Sequence, residues 1–188
     1  MKIHHLLPWV AVAASLAAGC IGGGGGRAGQ GAACAPSTPT AFPDPTCAVP
    51  LVCASATGTC DYAVCPSGAT TTFTGVKAIF TSCVSCHTPT PAATTPCNGA
   101  PCGGLDLETD PHGALVGVTA NNADGTANPI LLVKASDPGN SLLYRKLTIT
   151  TTASLLYGRG MPYATPGSVC PAALAAVKGW IDAGALND

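Results

Sequence analysis

The chain has 188 residues, a net charge of −1 and only 9% charged residues. It carries no basic patch of the kind that binds nucleic acid, so we expect no nucleic-acid partner. Glycine (23) and proline (17) are abundant, which predicts long loops rather than a tight all-helical bundle. The eleven cysteines indicate a chain that is oxidised outside the cytoplasm.

The N-terminus has the pattern of an export signal. Residues 1–19 combine a positive Lys2 with an apolar run that is too short to span a bilayer. The segment "LAAGC" places small residues before Cys20 and resembles a bacterial lipobox, with Ala17 where leucine is usual. We therefore expect Cys20 to become the lipidated N-terminus of the mature chain, and simple secretion is the alternative.

Residues 20–33 continue as "IGGGGGRAGQGAA" after the cysteine. Glycine at this density cannot pack a core and behaves as a flexible tether. A lipid at Cys20 followed by such a tether predicts a lipoprotein on the periplasmic side of a bacterial membrane. Ile21 follows the cysteine, and by analogy with known sorting behaviour it favours the outer membrane.

Residues 34–65 predict a small, irregular, disulfide-rich module. The segment has no helical period and is rich in proline and threonine. It can bury little apolar area, so cross-links must substitute for a core. We expect the module to be closed by Cys34, Cys47, Cys53 and Cys60, and Cys65 to bond into the next domain. A spacer is favoured over a partner-recognition module because no exposed aromatic or arginine anchor is evident.

Residues 72–188 predict a mostly α fold in which helices are joined by long loops. In "TFTGVKAIFTSC" the apolar residues recur at helical spacing and place Cys83 at the end of a helix. No strand-like alternation stands out. Three further helix starts are indicated by capping residues or prolines, namely Asp110 with Pro111, Asn140 or Ser141, and Pro171, whose helix Gly184 ends.

The motif "CVSCH" directly follows the first of these helices. Two cysteines at this spacing can form both thioethers to a haem, and the next residue, His87, can bind the iron. Three alternatives remain: a redox dithiol, a disulfide, and a zinc site of Cys83, Cys86, Cys97 and Cys102. A redox dithiol would need a βαβ surround, exported thiolates are usually oxidised, and zinc leaves His87 unused. The haem interpretation is therefore favoured.

The second axial position of such an iron has one clear candidate. Once the signal is removed, Met161 is the only methionine, and it lies in the loop "GRGMPY". A lone methionine in a loop favours a positioned ligand, although filling of a core gap is the alternative. His112 is the other remaining histidine, and we expect it to be a surface residue.

Taken together, the segments "CVSCH", "GGLDLET", "DPGNSLLYRKL", "GRGMP" and "AVKGWIDAGA" resemble the monohaem cytochrome c domains of exported planctomycete and myxobacterial proteins. The resemblance covers about residues 72–186. It implies helices wrapped around one covalent haem c, His87 as the proximal ligand and Met161 as the distal ligand. The insert "TPTPAATTPCNGAPC" departs from the family pattern, and we expect Cys97 and Cys102 to close a disulfide within it.

The sequence thus predicts a membrane-anchored c-type cytochrome that carries single electrons to and from redox partner proteins. No substrate chemistry is implied, so the protein is not expected to be an enzyme. A peroxidase-like haem enzyme would need an open position at the iron, which a bound Met161 opposes. The alternative from another class is a cysteine-rich structural or interaction lipoprotein without haem.

Overall fold

A computed structural model describes residues 29–34, 47–48, 50–54, 57–91, 102–120, 130–150 and 157–188. Two short strands and four α-helices lie within these ranges: β1 (Val52–Ala54), β2 (Thr59–Asp61), α1 (Phe73–Phe80), α2 (Pro111–Leu115), α3 (Leu142–Thr148) and α4 (Pro171–Asp182). Two single turns of 3₁₀-helix cover Cys102–Gly104 and Pro138–Asn140. The expected signal peptide, with Cys20 and most of the tether, lies outside the described residues.

The expectation of a mostly α, cytochrome c-like fold is wrong. The described part of the chain is 31% helical and 12% strand, and its four α-helices have 8, 5, 7 and 12 residues. One reason is that two apolar segments pair through their backbones instead of coiling. Val116 bridges Val133, and Thr119 bridges Leu131. Such single bridges are too short to leave an alternating pattern in the sequence.

The first module is built on an antiparallel hairpin rather than on irregular structure alone. Strands β1 and β2 pair with Cys53 opposite Cys60. Disulfides join Cys34 to Cys53 and Cys47 to Cys60. The small core of the module consists of Cys47, Cys60 and Leu51. The two disulfides confirm the expectation that these four cysteines close the module. Two of the three core residues, Cys47 and Cys60, are cross-linked to each other.

One disulfide ties this module to the rest of the molecule. Cys65 bonds to Cys170, which lies 105 residues later. The segments around Val64 and Val169 run parallel beside the disulfide. The Val64 amide donates to the Ser168 carbonyl at 3.1 Å, and the Cys170 amide donates to the Val64 carbonyl at 2.9 Å. The expectation that Cys65 bonds into the second domain is therefore confirmed.

Helices α1 and α4 form the centre of the larger core. The buried residues on these two helices are Phe73, Val76, Ile79, Phe80, Ala173, Ala176, Val177, Trp180 and Ile181. Trp180 is 1% exposed, and its ring centroid lies 5.5 Å from that of Phe73. Burial of each large apolar side chain contributes about 1.5–3 kcal/mol. The helix that leads into "CVSCH" is therefore held on its inner face.

Local signals start the helices as expected. Asp110 caps α2 by accepting a hydrogen bond from the Gly113 amide at 3.0 Å, with Pro111 as the first helical residue. Ser141 is the N-cap of α3, and Pro171 opens α4. These positions follow from residues whose shape or hydrogen bonding favours a helix start wherever they occur.

The start of α1 is also braced from the far end of the chain. The Phe73 amide donates to the Asp188 carboxylate at 2.7 Å. The Thr74 amide and hydroxyl donate to the Asp188 main-chain oxygen at 3.0 and 2.9 Å. An acidic group at a helix N-terminus accepts hydrogen bonds from the free amides, and its negative charge interacts favourably with the positive end of the helix dipole. Asp188 therefore braces the N-terminal turn of the helix that precedes the motif.

Candidate functional site

The "CVSCH" motif lies on consecutive turns immediately after α1. The Cys83 amide donates to the Phe80 carbonyl at 2.7 Å. The amides of Cys86 and His87 both donate to the Cys83 carbonyl, at 3.1 and 3.0 Å. Because Phe80 is buried in the core, these bonds anchor the motif to the interior. Two thiols and one imidazole are thus presented by a single hydrogen-bonded segment.

The two cysteines of the motif are the exception among the described cysteines. Both are free thiols, whereas the others are all disulfide-bonded: Cys34, Cys47, Cys53, Cys60, Cys65, Cys102 and Cys170. A disulfide between Cys83 and Cys86 is therefore not what the structure contains. The zinc alternative also fails, because it needs Cys102 as a thiolate. Cys97 lies outside the described residues, so its pairing with Cys102 stays a prediction.

The Cys83 thiol is partly enclosed by apolar side chains. It packs against the larger core, and its Sγ lies 3.8 Å from the Ile79 carbonyl oxygen. Burial, with a smaller contribution from the neighbouring Cys86, raises the pKa of the Cys83 thiol from 9.0 to about 11. A thiol in this state is protonated at neutral pH, which does not suit a redox dithiol or a thiolate ligand.

His87 carries the least satisfied polar atom of the site. Its Nδ1 is buried and has no hydrogen-bond partner. Burial lowers the pKa of the imidazole; the main chain of Cys102 and Leu105 beside the ring opposes this, and the charge of Lys146 adds to the lowering. Neither main-chain group bonds Nδ1. A buried unpaired group costs about 1–3 kcal/mol, and a neutral imidazole with an available nitrogen is the form that binds metals.

The segment 102–107 runs beside the motif and bounds it on one side. The Cys102 amide donates to the Cys86 carbonyl at 3.2 Å, and the Leu107 amide donates to the His87 carbonyl at 2.8 Å. A cavity of about 370 Å³ opens next to this segment, and its lining comprises Gly104, Leu105, Asp106, Gly113, Ala114, Val118, Thr119 and Leu132. Neither the motif residues nor Met161 are among the residues that line this cavity.

Met161 lies half-buried in the loop before α4 and packs against the same core as Cys83. Its main chain is bound on both sides. The Met161 amide donates to the Lys146 carbonyl at 2.8 Å, and the Gly167 amide donates to the Met161 carbonyl at 3.2 Å. The structure thus brings the motif and Met161 to one core, with the side chain of the methionine partly accessible.

Lys146 is a residue of this site that sequence reasoning missed. Its ammonium donates to the Tyr157 carbonyl at 2.8 Å and to the Arg159 carbonyl at 3.2 Å. The same residue accepts the hydrogen bond from Met161 and acts electrostatically on His87. The sequence carried no signal for it, because its half-burial and its bonds across the loop exist only in the folded chain.

His112 is not the surface residue that the sequence indicated. It is half-buried, and its Nε2 lies 2.9 Å from the Ala185 carbonyl oxygen. Its ring centroid lies 5.0 Å from that of Phe73 and 6.2 Å from that of Trp180. Through these contacts the His112 ring packs the C-terminal residues against α1 and α4.

A second group of sulfur atoms lies in the hairpin module. The Sγ atoms of Cys34, Cys47 and Cys60 are all within 4.8 Å of one another. Each of these atoms is already bonded in a disulfide. A metal would require thiolates, so this group is a cross-link cluster rather than a metal site.

Comparisons with protein-family models, with curated proteins and with solved structures find no match for this chain. Among the described residues, none of the helices is both long and apolar enough to cross a bilayer.

Proposed function

We propose that this protein is a c-type cytochrome that carries single electrons outside the cytoplasm, with haem c bound covalently by Cys83 and Cys86. One observation supports it above the others. The two motif cysteines are free while all the other described cysteines are oxidised. A chain with this many disulfides leaves two thiols unpaired only where they have another use.

His87 is the proposed proximal ligand. Its buried Nδ1 lacks a partner, and burial lowers the pKa of its imidazole, which favours the neutral ring. Both properties fit a ligand imidazole, which must offer a lone pair. When bound, the haem would supply a one-electron Fe(III)/Fe(II) couple. The chain contributes two thioether positions, one imidazole and an apolar wall made of the core beside Cys83.

Met161 is the proposed distal ligand. It packs against the same core as Cys83, and hydrogen bonds to its amide and its carbonyl hold its main chain. A thioether ligand raises the reduction potential relative to a second imidazole. An iron bound by both His87 and Met161 has no open position, which favours an electron carrier over a peroxidase-like enzyme.

The N-terminal residues supply the proposed location. A lipidated Cys20 with a glycine-rich tether would hold the protein at the periplasmic face of a bacterial membrane, and Ile21 favours the outer membrane. Several acyl chains anchor a protein stably, whereas one binds marginally. Redox partner proteins would then be reached from this anchor. Fractionation of wild type and Cys20→Ser tests it: equal release of both into the soluble fraction would rule the anchor out.

Haem staining after denaturing electrophoresis tests the main proposal. The full chain is expressed in a bacterium that matures c-type cytochromes, beside a Cys83→Ala, Cys86→Ala variant. A Cys34→Ala, Cys53→Ala variant is the matched control, because it removes two cysteines elsewhere. We expect haem in wild type and control and none in the motif variant. Absence of haem from wild type would select the structural, haem-free lipoprotein instead.

A spectrum of the haem-bound protein tests the distal ligand separately. Met161→Ala should keep its covalent haem and its helices, lose the methionine–iron absorption band and bind carbon monoxide readily. Met161→His should restore six-coordination at a lower potential than wild type. If Met161→Ala leaves the spectrum and the potential unchanged, Met161 is only a packing residue.

A further inference from the structure

Lys146 binds the loop that precedes Met161 at three points. Its ammonium donates to the carbonyls of Tyr157 and Arg159, at 2.8 and 3.2 Å. Its own carbonyl accepts the Met161 amide at 2.8 Å. A lysine on α3 therefore spans residues 157–161 with its side chain at one end and its main chain at the other.

The loop needs such support because its own sequence is permissive. Gly158 has a φ of +67°, and Gly160 lies so close to the end of α3 that an added Cβ would be 2.5 Å from the Ile149 carbonyl oxygen. Glycine gives this segment its close approach and also its freedom to move. The contacts of Lys146 restrict that freedom without any cross-link in the loop.

The charge of Lys146 also contributes, less than burial does, to the lowered pKa of His87, the residue proposed as the other ligand.

We propose that Lys146 is a positioning residue that holds the Met161 thioether at the haem iron by fixing residues 157–161 to α3. This inference rests on the proposed function, because it requires haem at Cys83 and Cys86. A thioether is a weak ligand, so it stays bound only if its loop presents it in place. Lys146 supplies that placement through hydrogen bonds rather than through contact with the iron.

Three variants of the haem-bound full chain test the inference. Lys146→Leu keeps much of the side-chain bulk and removes the donors, whereas Lys146→Arg keeps donors and charge. Lys178→Leu is the control, because Lys178 is an exposed lysine on α4 that pairs with Asp182 at 2.6 Å. Each variant is examined for haem stain, far-ultraviolet circular dichroism, the methionine–iron absorption band and the rate of carbon monoxide binding to reduced haem.

We expect Lys146→Leu to keep its covalent haem and its helices but to lose most of the methionine–iron band. Carbon monoxide binding should become about 10-fold faster or more, the usual scale for removing a group that holds a metal ligand. Lys146→Arg should restore most of the band, and Lys178→Leu should match wild type. If Lys146 only stabilised the fold, the band would be lost together with the helices, and a donor at this position would not by itself restore it.

Two results would overturn the inference. A Lys146→Leu protein with the wild-type band and wild-type carbon monoxide binding shows that Met161 needs no support from this lysine. If wild type carries haem but shows no methionine–iron band, both the inference on Lys146 and the proposal of Met161 as a ligand are wrong. The wild-type spectrum alone identifies this outcome. If Lys146→Leu loses its helices, Lys146→Met decides, because it keeps an unbranched side chain and removes the donors: a wild-type band there also refutes the inference.

Discussion

Removing the Cys65–Cys170 disulfide should destabilise the protein more than removing a disulfide of the hairpin module. The two bonds differ mainly in the length of chain they close, 105 residues against 19 for Cys34–Cys53. Loop-closure entropy then assigns about 4.8 kcal/mol to the long loop and about 3.2 kcal/mol to the short one. The difference of about 1.5 kcal/mol depends only on the two loop lengths.

The choice of substituent matters at Cys170. This residue is the N-cap of α4, and its side chain makes no capping hydrogen bond. Serine there could add such a bond, worth about 1 kcal/mol, and would hide part of the loss. We therefore compare Cys65→Ala, Cys170→Ala with Cys34→Ala, Cys53→Ala.

Equilibrium unfolding in guanidinium chloride measures both losses. The fluorescence of Trp180, which is 1% exposed, reports on the core beside α4, and circular dichroism reports on the helices. We expect the free energy of unfolding to fall by at least about 1 kcal/mol more for the long-loop variant. Equal losses, or a larger loss for the hairpin variant, would refute the argument from loop length.

Three further predictions follow from the site. Gly160→Ala should lower the free energy of unfolding by about 1–3 kcal/mol, because its Cβ would meet the Ile149 carbonyl oxygen at 2.5 Å; an unchanged thermal midpoint would contradict this. His112→Ala should cost about 1–3 kcal/mol through the lost Ala185 hydrogen bond, and a changed haem spectrum would contradict a packing role. Burial raises the pKa of Cys83 to about 11, and thiolate is the form that reacts with iodoacetamide. In the haem-free chain at pH 8, Cys83 should therefore react about 100-fold more slowly in the folded protein than in guanidinium chloride. Equal rates in the two conditions, measured by mass spectrometry, would exclude the burial effect.

The parts of the fold that were predictable from sequence depend on neighbouring residues. Asp110 with Pro111, and Pro171, start helices because a capping oxygen and a fixed φ act locally. The candidate motif was equally readable, since its cysteines and histidine lie within five residues. For Cys65 even the domain of its partner could be inferred, because the cross-linked module needed a connection.

The remaining features depend on contacts between distant residues. The bridge between Val116 and Val133 involves two single residues, so no period in the sequence announces it. The bonds from Lys146 to Tyr157 and Arg159 span 11 and 13 residues across a loop. Tertiary contacts of this kind override local propensity, which is why local sequence patterns predict more helix than the structure contains.

The brace from Asp188 to Phe73 has a consequence for the order in which the protein is made. The two residues are 115 positions apart, and synthesis at about 5–20 residues per second separates their appearance by roughly 6–23 s. During that interval the first turn of α1 exists without the carboxylate that completes it. Until Asp188 has been made, the amides of Phe73 and Thr74 lack this acceptor, so the N-terminal turn of α1 is less stable than in the folded structure.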